Sequence, residues 1–418
     1  MAGWWTRVRT TGNRQAGALL LLLALIAAAC SGPDDARSPT PTATSSAVVS
    51  PTVAAPAPET STQVATQPGS ATPTATTAPV VATPSPTAAP EGAVCDTGVE
   101  LLAVSDALDK VTYENQEVGG LSALAWSGEG STYDTLSDRG GRVYRLDFPA
   151  PGDPSLAATI QLLDEDGNPD TDIDGEGLAI LPNGDLLVSS EAGPSIREYT
   201  PDGALVAELP VPERFLNAPA GRATQNLTFE SLALSPSGQR LFTAVEDRLE
   251  GDGRTDEGNS RIRVLRYDLI DGAFQPAAEY VYLTEPDQAV SEMVAISDTE
   301  LLVLERSLSL FMGFTARVFH ADLDGADDVT AVESLEDADA QPATKELLVD
   351  IADCPSGDAA VIDGFNPLLE NFENMTLGPP QPDGRSTLIV GSDDNYQSLQ
   401  TTRFLIFAID ADRLPPSS

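Results

Sequence analysis

From Val94 to the C-terminus, apolar residues come in short runs divided by turns rich in Gly, Pro, Asn and Asp. No stretch there keeps the three-to-four-residue spacing of an amphipathic helix, so the pattern predicts short β-strands throughout. A phrase stated about five times organises those runs. It reads Gly120-Leu121-Ser122-Ala123-Leu124, Gly175-Glu176-Gly177-Leu178-Ala179, Phe229-Glu230-Ser231-Leu232-Ala233, Ser291-Glu292-Met293-Val294-Ala295 and Phe372-Glu373-Asn374-Met375-Thr376. Each copy leads into an apolar run that closes on a second acid: Asp138, Glu191, Glu246, Glu305, and the pair Asp393-Asp394.

The units share an internal grammar. In the second, Leu178 to Leu181 is followed by the turn Pro182-Asn183-Gly184-Asp185 and the strand Leu186-Leu187-Val188. An Asn-Gly turn between two apolar runs is a strong hairpin signal, because both residues tolerate positive φ. From Ser122 to Glu176 is 54 residues and from Glu176 to Glu230 another 54; the next gaps, to Glu292 and Glu373, are 62 and 81. Four-stranded units of this length closing into a ring predict an all-β fold, a β-propeller. The long gap at 306–372, with strands near Val99–Val104 and Val111–Tyr113, leaves room for a sixth blade, so about six blades are expected, five being the alternative. An N-terminal strand is expected to close the ring.

Composition divides the rest of the chain. Arg7, Arg9 and Arg14 precede an apolar core from Ala16 to Ala29, the plan of an export signal over 1–30 and too short for a membrane span. It ends at Ala27-Ala28-Ala29-Cys30, which resembles a bacterial lipoprotein processing site. Cys30 would then carry the lipid that anchors the chain to the membrane, outside the cytoplasm; plain secretion is the alternative. Residues 31–93 are Pro, Thr, Ser and Ala with few large apolar side chains, so this linker is expected to be disordered. Residues 94–418 form the folded domain. Two cysteines remain there, Cys95 and Cys354, and in an exported domain an even pair predicts a disulfide.

Charge changes the picture next. With 23 Lys and Arg against 64 Asp and Glu, the chain carries a formal −41, which argues against a nucleic-acid partner. In antiparallel strands the start of one lies beside the end of the next. Each unit would therefore bring its two acids to one end of the channel: Glu176 with Glu191, Glu230 with Glu246, Glu292 with Glu305, and Glu373 with Asp393 and Asp394. Hard oxygen ligands in such number suit calcium or magnesium. Within a second acidic cluster, Asp164 to Gly175, the residues Asp170, Asp172, Asp174 and Gly175 begin like an EF-hand loop, but Leu181 stands at the twelfth place, where the closing Glu is required. It is either a looser calcium loop or a solvated turn. His320 is the one histidine, so hydrolysis would depend on carboxylates and a metal rather than a histidine base.

The phrases Gly119-Gly120-Leu121-Ser122, Leu136-Ser137-Asp138-Arg139-Gly140, Asp174-Gly175-Glu176-Gly177-Leu178, Ser189-Ser190-Glu191-Ala192-Gly193-Pro194, Phe229-Glu230-Ser231-Leu232, Leu304-Glu305-Arg306 and Ser392-Asp393-Asp394-Asn395 resemble the bacterial phytase-like family, the esterase-like-activity-of-phytase domain. Phe372-Glu373-Asn374-Met375 departs from it, since the family more often has Glu-Gly-Leu there. The resemblance implies an extracytoplasmic propeller with calcium-assisted hydrolysis of a small phosphoric or carboxylic ester. On that reading Glu176, Glu230, Glu246 and Glu305 are the catalytic candidates. Asp174, Glu191, Glu292, Glu373, Asp393 and Asp394 are the metal candidates, and Arg139 and Arg306 would bind substrate. The alternative is a non-catalytic surface-binding propeller with structural calcium.

Overall fold

The computed structural model describes residues 87–88, 93–309, 313–356 and 366–414. The export signal, Cys30 and nearly all of the linker lie outside the described residues.

Five antiparallel blades follow one another along the chain, four of them four-stranded and the last part of a six-stranded sheet. Blade I is Leu121–Trp126, Thr132–Ser137, Arg142–Asp147 and Ser155–Gln161. Blade II is Gly175–Ile180, Leu186–Ser190, Ser195–Tyr199 and Leu205–Glu208. Blade III is Ala233–Leu234, Arg240–Ala244, Arg261–Ile270 and Ala273–Leu283. Blade IV is Ala289–Ala295, Glu300–Ser309, Gly313–Asp322 and Thr344–Asp350. Blade V takes Phe372–Gly378, Ser386–Ser392 and Phe404–Ile409 from the C-terminal end, and its fourth strand, Val99–Ser105, from the N-terminal end, where the short Thr87–Ala88 and Val94–Asp96 pair on it. The first strands of the blades neighbour each other in cyclic order, V beside I. The fold is therefore a β-propeller closed by an N-terminal strand, with the alternative count of five blades.

The room reserved for a sixth blade is used otherwise. After blade IV's third strand, residues 323–343 leave the sheet and pack Val329 and Leu335 on Val281 of blade III. The expected strand near Val111–Tyr113 is a two-residue hairpin, Thr112–Tyr113 with Gln116–Glu117, outside the ring.

Strands alternate, so each blade buries both faces against its neighbours, and the core runs as a band of clusters between blades. Cys95, beside the closing strand, is bonded to Cys354 in the turn after blade IV, with Cα atoms 4.1 Å apart. The closing strand is thus held covalently as well as by its ladder to Phe404–Ile409.

Candidate functional site

One irregularity, repeated in every blade, builds the channel mouth. First and second strands pair cleanly except at their mouth end, where the first strand carries one residue too many. That residue is Ser122 in blade I, Ser291 in blade IV and Glu373 in blade V. In blade II, Glu176 and Gly177 stand opposite Ser189 alone. In blade III, Glu230, Ser231 and Leu232 stand opposite Thr243 and Ala244. A β-bulge frees one residue from the ladder and re-aims its side chain. Ser122 Oγ and Ser291 Oγ donate to carbonyls of the next blade's inner strand, Gly175 at 2.6 Å and Phe372 at 3.3 Å.

Just beyond the bulge, the ladder of each blade ends at an equivalent pair. Main-chain N–H groups of Asp138, Glu191, Glu246 and Asp393 donate to the carbonyls of Gly120, Asp174, Thr228 and Asn371 at 2.8–2.9 Å. In blade IV the corresponding pair is Ala289 with Arg306. The ring therefore reads Asp138, Glu191, Glu246, Arg306, Asp393: four acids and one arginine.

This register sorts the sequence-based candidates. Asp174, Glu176, Glu191, Glu230, Glu246, Glu373, Asp393 and Asp394 gather at the mouth around Arg306. Glu292 and Glu305 do not join them, because each stands one residue out of step with its counterparts. With a side-chain period of two, a slip of one residue turns a side chain to the other face. Glu305 is held by Tyr282 Oη at 2.6 Å, Lys345 Nζ at 2.7 Å and the Glu285 N–H at 2.7 Å. Glu292 accepts the N–H of its own neighbour, Met293, at 2.9 Å.

At the mouth, Asp174, Glu176 and Glu191 can bring one oxygen each within 4.8 Å of one another, and so can Glu191, Glu230 and Glu246. Glu191 belongs to both triads, and Thr228 N–H fixes its Oε1 at 2.6 Å. Arg306 Nη2 lies 2.6 Å from Glu373 and 3.3 Å from Glu246. Asp394 Oδ1 accepts the N–H groups of Gly120 and Tyr396 at 3.1 and 3.0 Å, and its other oxygen takes Lys110 Nζ. Arg139 is 3.5 Å from Asp138 and 4.9 Å from the Tyr396 ring centroid. The Gly119-Gly120 pair makes this approach possible. At Gly120, with φ +59°, a Cβ would fall 2.0 Å from Asp138 Oδ1 and 2.6 Å from the Tyr396 ring.

Electrostatically the mouth is overloaded with negative charge. Burial first, then mutual repulsion, lifts the carboxyls of Glu176, Glu230 and Asp393 well above the ordinary carboxylate range. Burial pushes Asp138 up to about 7, opposed by Arg139 and reinforced by Asp174, Glu373 and Asp394. Glu191 rises to about 7 from burial, opposed by the Thr228 N–H and reinforced by Glu246. Glu246 also rises to about 7 from burial, with Arg306 opposing. Asp138 Oδ1 is buried with no hydrogen-bond partner. Sequence reading gave Asp138 no role, although its place as the second acid of unit one was the available signal. Lys110 and Tyr396, which complete the blade I–V side, carried no such signal.

The donor set is carboxylate oxygen, without histidine or cysteine, and hard dications such as Ca²⁺ prefer such a set. The residues fit that group. His320 lies elsewhere, its Nε2 3.2 Å from Glu300. The acidic loop is also separate except for Asp174: Asp164 caps its own turn through Asn168, and Asp170 pairs with Arg197 and Tyr199. Among the arginines beside the acids, Arg197, Arg248 and Arg403 are engaged with Asp170, Asp247 and Asp106.

A family model described as phytase-like, esterase-like activity of phytase, matches residues 116–396. No curated protein matches the chain. Solved structures with a similar course include a protein from Lactobacillus plantarum, 16% identical over 68% of this chain and 66% of that one, TM-score 0.33. This chain thus spans just under two thirds of that protein. An endo-arabinase from Bacteroides thetaiotaomicron is 10% identical over 70% and 95%, TM-score 0.39. Hydrazine synthase from Kuenenia stuttgartiensis is 11% identical over 68% and 79%, TM-score 0.34. At such scores nothing of their chemistry transfers to this chain.

Proposed function

The chain belongs to the phytase-like family, and from that premise we propose that its channel mouth is a divalent-cation site serving ester hydrolysis. The observation that carries the reading is Glu191, shared between two carboxylate triads. Carboxyls lifted this far are paired poorly by the residues around them, and a cation is what relieves such crowding. Asp174, Glu176 and Glu191 would hold one position, and Glu191, Glu230 and Glu246 the adjoining one. A bound dication, calcium by donor type, supplies charge neutralisation and polarisation of an ester oxygen.

The chain's own residues supply the rest. Arg306, clamped between Glu246 and Glu373, orients an anionic substrate oxygen entering the mouth. Asp138, with one free oxygen, accepts or returns a proton at neutral pH. Arg139, about half exposed beside it, meets the outer part of the substrate. We extend the proposal to location: an exported chain held by lipid at Cys30, the linker spacing the propeller from the membrane.

Turnover of p-nitrophenyl phosphate and p-nitrophenyl acetate, with calcium and then with chelator, tests it. Calcium-dependent hydrolysis that Glu230→Gln abolishes in a folded protein is the expected result. Absence of turnover on either ester, together with calcium-dependent melting, would instead make this a non-catalytic binding propeller.

A further inference from the structure

The opposite end of the channel has a different chemistry. There the far ends of the five inner strands open into a funnel of about 970 Å³, a size that accommodates a small organic ligand. Its wall includes Trp126, Leu178, Leu181, Leu234, Met293 and Met375. The whole chain has four methionines, and two of them line this space. Methionine is a flexible, polarisable wall that adapts to a ligand's shape.

Glu292 also lines the funnel, and it is 3% exposed. Its carboxyl accepts the N–H groups of Met293 and Leu232. Both are neutral main-chain donors, and no cation among the described residues pairs with it. The mouth acids repel one another, whereas burial alone lifts Glu292, with no neighbouring charge contributing. Its register places it one residue away from the position that faces the mouth. A buried acid without a counter-ion favours its proton until a cation is brought beside it. At the rim, Asp134 is already satisfied by Arg145 at 2.9 Å and Glu129 stands exposed to solvent, which leaves Glu292 as the buried acid of the funnel without a counter-ion.

We infer that the funnel is a second ligand site, distinct from the acidic mouth, for a small hydrophobic amine whose ammonium pairs with Glu292 while its hydrocarbon body lies against Trp126, Met293 and Met375. The aromatic and thioether wall suits a cation's apolar flank, and Glu292 disfavours an anion of the same shape. A neutral molecule would fill the space and bring no charge to the carboxyl.

Isothermal titration of the full chain with three probes of matched size tests this: phenethylamine, 2-phenylethanol and 3-phenylpropionate. Phenethylamine should bind one to one and exceed the alcohol by about tenfold to a hundredfold, the worth of a charge-assisted hydrogen bond. The carboxylate should not bind. Glu292→Gln should erase the preference for amine over alcohol, and Met375→Trp, which fills the funnel from another wall, should abolish binding of both. Calcium at saturating concentration should leave the amine affinity unchanged, because the mouth is a separate site. Equal binding of amine and alcohol would overturn the inference. So would no amine binding, a preference that survives Glu292→Gln, or binding that survives Met375→Trp.

Discussion

Arg263, in the third strand of blade III, and Arg306, at the channel mouth, are both arginines set among carboxylates, yet they sit in opposite arrangements. Arg263 is sealed, at 0% exposure. Its Nε and Nη2 donate to the two oxygens of Asp252 at 2.7 and 3.1 Å, and its Nη1 donates to Glu279 at 2.7 Å. The carbonyl of Val332 takes a further bond at 3.0 Å. Arg222 and Arg214 reinforce Asp252 and Glu279 from outside. Every charge there is answered, and the cluster ties residues 323–343 to blade III. Arg306 answers only Glu246 and Glu373 among the acids around it, its Nε has no partner, and its side chain is 20% exposed. The first cluster is complete as folded; the second is short of positive charge and open to solvent. That contrast separates a structural ion network from a binding site.

The largest effect should come from breaking the balanced cluster. Arg263→Met would take from two buried carboxylates their inner partner and leave each with one outer arginine, a change that costs about 3–5 kcal/mol when one partner of a buried pair is removed. Urea denaturation should register it, and adding Asp252→Asn and Glu279→Gln to the same chain should recover much of the loss. A loss under about 1 kcal/mol would mean the cluster is not what holds the 323–343 segment.

Next in size is the matching change at the mouth. Arg306→Met removes the cation between Glu246 and Glu373 and should cost on the order of 2–3 kcal/mol without added metal. Here, unlike at Arg263, calcium should restore the loss and bind more tightly than to the parent chain. If calcium leaves the melting temperature of this variant unmoved, the mouth does not hold the ion.

The two clusters also part in their response to pH. Asp138, Glu191 and Glu246 have folded-state values near 7, above the ordinary 3.8 for Asp and 4.5 for Glu. Protons therefore bind the folded state more tightly than the unfolded one. The stability this contributes is fully present below about pH 4 and is lost as pH climbs through about 7. In chelator, the melting temperature should fall between pH 5 and pH 8, against the usual trend for paired carboxylates. Calcium should reverse the slope, because its binding needs the deprotonated acids and releases their protons. A flat profile in chelator would mean that solvent relieves the crowding.

Much of the fold was legible because it repeats. The phrase around Glu176 and Glu230 marks each inner strand, and the strand expected at Val99–Val104 does close the ring. The mouth was legible in kind, since acids at the start of one strand and the end of the next must meet in an antiparallel blade. What sequence could not resolve was a single residue of register in blade IV. Ser291-Glu292 and Glu305-Arg306 offer two alignments each, and the most acidic alignment differs from the one that the bulge selects. The Arg263 cluster was invisible for another reason. Arg263, Asp252, Glu279 and the 329–333 carbonyls share no motif, and only the excursion of residues 323–343 across blade III brings them together.

The smallest predicted effect probes the acidic loop that precedes the mouth. Asp164 to Asp174 is dense in carboxylates, and by composition alone it competes with the ring as the calcium site. Two of its acids are nevertheless already engaged, one within the loop and one by blade II. Hydrogen bonds from Asn168 and the Asp166 and Gly167 main chain hold the Asp164 carboxyl below its usual value, while Asp170 is taken by Arg197 and Tyr199. Asp172 is exposed, and Asp174 alone turns into the mouth. Asp172→Asn should therefore change stability by less than about 0.5 kcal/mol and leave the calcium midpoint unaltered, whereas Asp174→Asn should weaken calcium. Equal weakening by both would assign the ion to the loop, and Glu191 would lose its place as the bridge between two triads.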